Sequence, residues 1–227
     1  PFSFKYRKEL KQFFKNHSEY KIVHCHLDCM SSIPLSYAKK AGIGVRIAHS
    51  HNANQEHNLK YVLKWYYKKK IQKYATILFA CSKKAGKWMF EDHDFQILNN
   101  AIDAKKFSYN ESLRVEMRKK LNLEDNFVIG HVGRFNAQKN HGFIIEVFSE
   151  LIKINRNAKL LLVGEGDLEN KLKKQVNYLG LDEQVIFYGK CDDVPSIMQV
   201  MDVFFFPSLF EGSRRPSGLR KTILLYN

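Results

Sequence analysis

Short apolar runs alternate with helical stretches along this chain, and the alternation restarts once. Strand-like segments fall at residues 20–26, 44–49, 75–81 and 96–99. Helical periodicity fills the gaps at 31–40 and 58–74, and again from 83 to about 90, where Ser82 reads as the N-cap. A polar helix over residues 4–16 precedes them. Strands separated by helices cannot pair as hairpins. They need crossover connections, and so predict a parallel sheet.

After a polar stretch with a short charged helix at 112–121, the pattern begins again. The run Phe127-Val-Ile-Gly-His-Val-Gly133 is nearly continuous in apolar residues, as a strand buried on both faces should be. A helix at 140–155, a strand at 159–164, a helix at 167–179 closed by Gly180, a strand at 184–188, a short helix at 194–200 and a strand at 202–206 follow. The expectation is an α/β chain of two doubly wound parallel-sheet domains. Residues 1–103 and 127–212 form the domains, 104–126 connect them, and 213–227 make an atypical tail.

Charge sharpens the division. The net charge of +14 is concentrated in residues 1–105 at +11, while residues 106–212 carry −1 and the last fifteen +4. Basic surfaces attract phosphate-bearing substrates, anionic lipid or nucleic acid. A nucleic-acid binder is the weaker reading, because the basic residues are not interleaved with a recognition motif and the aromatics sit in core-like runs. With 44% hydrophobic and 26% charged residues the composition is that of a globular chain. The longest apolar stretch, 203–210, is strand-sized, well short of the roughly 20 residues of a membrane helix. Residues 1–20 read as a polar helix and not as a leader. Four sparse cysteines, Cys25, Cys29, Cys81 and Cys191, suit a reducing, cytoplasmic setting.

Two segments carry the chemistry. Gly133-Arg-Phe-Asn-Ala-Gln-Lys139 follows a buried strand and precedes a helix, the place where α/β sheets hold ligands. Arg134 can grip phosphate oxygens with its fork and Lys139 act as a point charge. Phe206-Pro-Ser-Leu-Phe-Glu211-Gly212 follows the last strand, and Glu211 there can accept hydrogen bonds from sugar hydroxyls. A solvated basic loop and a plain Glu-Gly turn are the alternatives.

From Phe127 to Gly212 these motifs resemble, in order and spacing, the C-terminal domain of glycosyltransferase family four. The resembling residues are Gly133, Arg134 and Lys139, then Val163-Gly-Glu-Gly166, Phe187-Tyr-Gly189 and Phe206-Pro-Ser-Leu-Phe-Glu-Gly212. Ile22-Val-His-Cys-His26, Arg46-Ile-Ala-His-Ser-His-Asn52 and Leu98-Asn-Asn-Ala-Ile-Asp103 resemble the front half of its polysaccharide-assembly members. The resemblance implies the GT-B fold of two Rossmann-like domains and a retaining transfer from a nucleotide-diphospho-sugar donor to a saccharide or lipid-linked saccharide acceptor. Donor contacts would come from Gly133, Arg134, Lys139, Gly189, Lys190, Glu211 and Gly212. Arg134 and Lys139 would neutralise the leaving diphosphate, so that no metal and no cofactor are expected. His51, or else His49, would stand near the transferred sugar. Nucleic acid is not an expected partner.

The chain departs from the family at two points. Leu219 stands where the second Glu of the E-x7-E motif belongs, and the front opens on a helix instead of a Gly-rich strand-loop-helix. A chain shortened at both ends, with a tail out of register, is the expectation; an inactive remnant of such an enzyme is the alternative function.

Two weaker patterns remain. His24-Cys-His26-x-Asp28-Cys29 has zinc-ligand chemistry, but strand alternation puts His24 and His26 on one face and Cys25 on the other. The basic aromatic helix at 58–74 either rests on an anionic membrane surface, with Trp65, Tyr66 and Tyr67 at headgroup level, or packs Val62, Leu63 and Tyr66 inward.

Overall fold

The structure, a computed structural model, describes residues 3–52, 61–209 and 222–225. The chain divides into two compact units, the first ending at Ala101 and the second beginning at Ile102. Both are α/β with parallel sheets, as the alternation requires.

The first unit runs α1 (Phe4–Asn16), β1 (Ile22–Cys25), a 3-10 turn at Asp28–Ser31, α2 (Ser32–Lys40), β2 (Val45–Ser50), α3 (Tyr61–Lys69), α4 (Ile71–Tyr74), β3 (Ile77–Ala80), α5 (Lys83–Phe90) and β4 (Gln96–Ile97). Its four strands are all parallel, in the order β1-β2-β3-β4. Local chemistry sets the helix starts. Ser3 accepts a hydrogen bond from the Tyr6 amide at 3.1 Å and Ser82 one from Ala85 at 3.2 Å, each satisfying a donor the helix leaves free. Cys25, Ala48 and Ala80, one from each neighbouring strand, pack with Leu35, Ile71, Met89 and Phe90 of the helices in one core.

The helix expected at 58–74 is corrected on two counts. It breaks at Lys70 into α3 and α4, and residues 58–60 lie outside the described ones. Val62, Leu63 and Tyr66 do not pack inward; they are exposed, along with Trp65. Part of its basic face is neutralised locally, since Glu91 pairs with Lys68 at 3.2 Å and Lys69 at 2.6 Å.

The second unit runs α6 (Glu111–Lys120), β5 (Phe127–Val132), a 3-10 turn at Ala137–Lys139, α7 (His141–Ile154), β6 (Ala158–Val163), α8 (Glu169–Tyr178), β7 (Val185–Gly189), α9 (Val194–Met198), β8 (Val203–Phe206) and β9 (Thr222–Leu225). The order is β7-β6-β5-β8-β9, parallel except for β9, which pairs antiparallel with β8. The chain winds from β5 outward to β7 and then crosses back to β8. That reversal puts helices on both faces, and β6 shows it. Leu160 and Leu162 face a core with Ile144, Phe148 and Leu172, while Leu161 and Val163 face another with Met117, Ile197 and Met201.

Residues 104–126, read from the sequence as a connection, are a built part of this second unit. Arg114 and Arg118 of α6 both bond the Asp202 carboxylate, Arg118 at 3.3 Å. Arg114 also donates to the Gln199 carbonyl at 2.6 Å and Arg118 to that of Val200 at 2.8 Å. Asp202 in turn accepts from the Val128 amide at 2.6 Å, tying α6 to the start of β5 and to the residue just before β8. Removing one member of such a poorly exposed pair leaves its partner's charge uncompensated. Asp202→Ala should therefore destabilise the chain by about 3 kcal/mol, read as a lower urea midpoint at unchanged slope. A loss within about 0.5 kcal/mol, the range of an ordinary surface substitution, would show that the pair holds nothing together.

Candidate functional site

In the second unit the carboxyl ends of β5, β6 and β7 open into a cavity of about 510 Å³. Gly133 and Arg134 line it from β5, Gly164-Glu165-Gly166 from β6, and Lys190 and Cys191 from β7. It lies beside the reversal of strand order, where open α/β sheets accept ligands.

Two loops make its wall by close backbone approach. The Phe135 amide donates to the Glu165 carbonyl at 2.9 Å and the Gly133 amide to that of Val163 at 2.9 Å. Gly164 holds φ +137° and donates to the Gly189 carbonyl at 2.8 Å. A Cβ on Gly164 would stand 2.2 Å from the Gly133 carbonyl oxygen, and one on Gly166 2.4 Å from that of Phe135. At both positions only glycine permits this packing. Either glycine changed to alanine should separate the loops and abolish ligand binding to the cavity. Calorimetric titration of a Gly166→Ala chain that still melts cooperatively checks this, and unchanged binding would refute it.

Arg134 is exposed at the rim, with no ion pair among the described residues. Lys190 is beside it, loosely paired at 3.5 Å with exposed Asp192. Lys139 ends the 3-10 turn that Asn136 caps, packs its stem toward Gly133 and sets its ammonium 4.9 Å from the Phe206 ring; it is not among the cavity's lining residues. Gly189 closes β7 with φ +82°. Glu211, Gly212, Leu219 and the tail at 213–221 lie outside the described residues.

Beneath the loop lies a pair that sequence reasoning passed over. His131 and His141 are buried, their rings 4.7 Å apart and near perpendicular. His131 Nδ1 meets the Phe205 carbonyl at 2.8 Å. Burial, then the neighbouring His131 and Lys139 charges, push the His141 imidazole down to about 3, against a smaller upward pull from the Gly133 backbone. Its clue was a histidine at the first turn of an otherwise apolar helix face. The sign of its pH effect follows. Unfolded, His141 titrates near 6.5, so between that pH and about 3 the unfolded chain binds the extra proton. Stability is complete above pH 6.5 and falls with acidification, by about 2 kcal/mol at pH 5 from this group. Urea titrations at pH 7 and 5 should show that loss in the native sequence and a correspondingly smaller one in His141→Phe. An equal loss in both would place the effect elsewhere.

In the first unit the predicted histidines gather at the ends of β1 and β2. His24 Nε2 lies 3.2 Å from His49 Nδ1, and His26 Nδ1 2.7 Å from His51 Nε2. His51 reaches Asn100 Oδ1 at 3.1 Å, and its amide donates to Asp28 at 3.3 Å. His49 is buried and His51 half-buried. Burial and the surrounding imidazoles depress His24 and His26 and push His49 down to about 4, so these rings are neutral near pH 7. Nitrogens of His24, His26 and His49 lie within 4.8 Å of one another, close enough for a metal ion. Cys25 and Cys29 stay out of the group, buried in the helix-side core with thiols pushed up to about 11 by burial.

Comparison with known proteins bears on the second unit first. Residues 114–213 match the family described as Glycosyl transferases group 1. Over 217 residues the chain is 29% identical to the Bacillus subtilis protein named putative glycosyltransferase EpsF, covering 90% of this chain and 56% of that one. It is 27% identical to the Escherichia coli UDP-Gal:alpha-D-GlcNAc-diphosphoundecaprenol alpha-1,3-galactosyltransferase, covering 86% and 53%. The chain thus spans about half the length of these curated relatives. Anabaena HepE, solved in complex with UDP-glucose, shares the fold at a TM-score of 0.76 and 19% identity, over 88% of this chain and 56% of that one. The group 1 match begins inside α6, so the matched segment takes in Arg114 and Arg118, the residues that Asp202 ties to the sheet.

Proposed function

We propose that this chain carries the machinery of a retaining glycosyltransferase of surface-polysaccharide assembly. It would move a sugar from a nucleoside-diphospho-sugar to a saccharide or lipid-linked saccharide. The observation that carries the reading is the second unit's cavity at the strand ends, with Arg134 on its glycine-walled loop pair and Lys190 on the loop after β7. Relatives support it by name: one uses UDP-Gal and a diphosphoundecaprenol-linked GlcNAc, and HepE was solved with UDP-glucose.

In this reading the cavity takes the diphosphate. Charge builds on the leaving diphosphate as the glycosidic bond breaks, and preorganised cations offset it without reorganisation of solvent. Arg134 supplies a two-pronged donor and Lys139 a second positive charge behind it, so neutralisation draws on side chains and not on a metal. The turn at Gly189 and Lys190 supports the base, and Glu211 with Gly212 holds the donor sugar. The first unit presents the acceptor side, with His51, or else His49, near the transferred sugar. Among the described residues no helix is long and apolar enough to cross a membrane. A peripheral position on the cytoplasmic face, with α3 against the lipid, suits a lipid-linked acceptor.

Calorimetric titration of the purified chain with UDP and with GDP tests the proposal. One nucleotide should bind saturably, and Arg134→Ala/Lys139→Ala should weaken it by tenfold or more, the loss of about 1.5–3 kcal/mol per charged hydrogen bond. A cooperatively melting chain that binds neither nucleotide would leave the remnant reading standing in its place.

A further inference from the structure

A second polar cavity, of about 230 Å³, lies in the first unit among α1, α2, α3 and α4. Its lining holds three cations, Arg7, Lys40 and Lys70, and no carboxylate. None of the three has an ion-pair partner among the described residues. Two donors in its wall are also unanswered. Ser32 is 1% exposed and its hydroxyl has no hydrogen-bond partner, and the buried Nε of Arg7 has none either. Arg7 is nonetheless fixed in place, since its Nη2 donates to the Tyr67 hydroxyl at 2.8 Å. Lys70 bonds the Tyr66 hydroxyl and lies 4.0 Å from that ring's centre.

Buried donors without acceptors are costly, and three unpaired cations around one space repel one another. A group that offers several acceptor oxygens and negative charge removes both penalties at once. The cavity is smaller than the roughly 300–1,000 Å³ of pockets that enclose whole organic ligands. We propose that this pocket binds a phosphoryl group, which Arg7 grips through its fork, Ser32 through its hydroxyl, and Lys40 and Lys70 by charge. The site is separate from the diphosphate loop of the second unit and does not depend on its assignment. A free phosphate ester and a phospholipid headgroup offer the same chemistry.

The test uses the full chain carrying Arg134→Ala/Lys139→Ala, so that the second unit's loop does not contribute. One arm titrates inorganic phosphate at constant ionic strength by calorimetry. The other sediments the chain with vesicles of phosphatidylcholine, alone or mixed equally with phosphatidic acid. Arg7→Gln and Lys70→Gln are measured beside it, each with a melting curve. The expected result is saturable binding in at least one arm, weakened about tenfold by each variant. Lys70 sits at the rim, so its variant keeps the test valid if Arg7→Gln loosens α1. Binding in the phosphate arm assigns a soluble ester; binding in the vesicle arm alone assigns a headgroup. No binding in either arm overturns the proposal, and so does binding that both folded variants retain in full.

Discussion

Everything in the second unit follows from one constraint: a parallel strand in the middle of a sheet must be apolar on both faces. β6 meets it with four consecutive buried residues, Leu160, Leu161, Leu162 and Val163, that alternate between two cores. Filling both faces forces helices onto both sides, and the chain must then reverse its winding to reach β8. The reversal brings the loops after β5, β6 and β7 together at one edge. The cavity is thus a by-product of burying β6. Chemistry was added in the loops, where polar groups cost the core nothing.

The same logic shows why part of the site was legible in the sequence. Gly133, Arg134 and Lys139 are consecutive with a strand whose apolar run is unmistakable, so their place at its carboxyl end follows from the local pattern alone. Gly164 and Gly166 follow the next strand in the same way, and entered through the resemblance. The two glycines are required by the loop they press against, and that loop is some thirty residues away, so only the structure supplies the reason.

Other features were invisible because they depend on register between distant segments. His24 and His49 meet because His24 pairs with Ile47 across the sheet, an alignment that no spacing within either strand encodes. Arg114 and Arg118 belong to the short charged helix that the sequence placed in the connection. Their partner, Asp202, lies more than eighty residues on, and the pairing turns that helix into part of the core. The basic helix at α3 misled in the opposite sense. Its apolar spacing suggests an inward face, yet Val62 and Leu63 are exposed, because α4 supplies the buried residue, Ile71.

The four cysteines occupy unequal positions. Cys25, Cys29 and Cys81 are buried, and burial raises all three thiols, so few of them are thiolates at neutral pH. Cys191 alone among them is half-buried, and it lines the second unit's cavity. Of the four thiols, one is left partly open to solvent, and it stands on the wall of the cavity. A thiol-directed fluorophore would settle there without mutagenesis, and a ligand entering the cavity would shield it. The protein carries its own occupancy gauge.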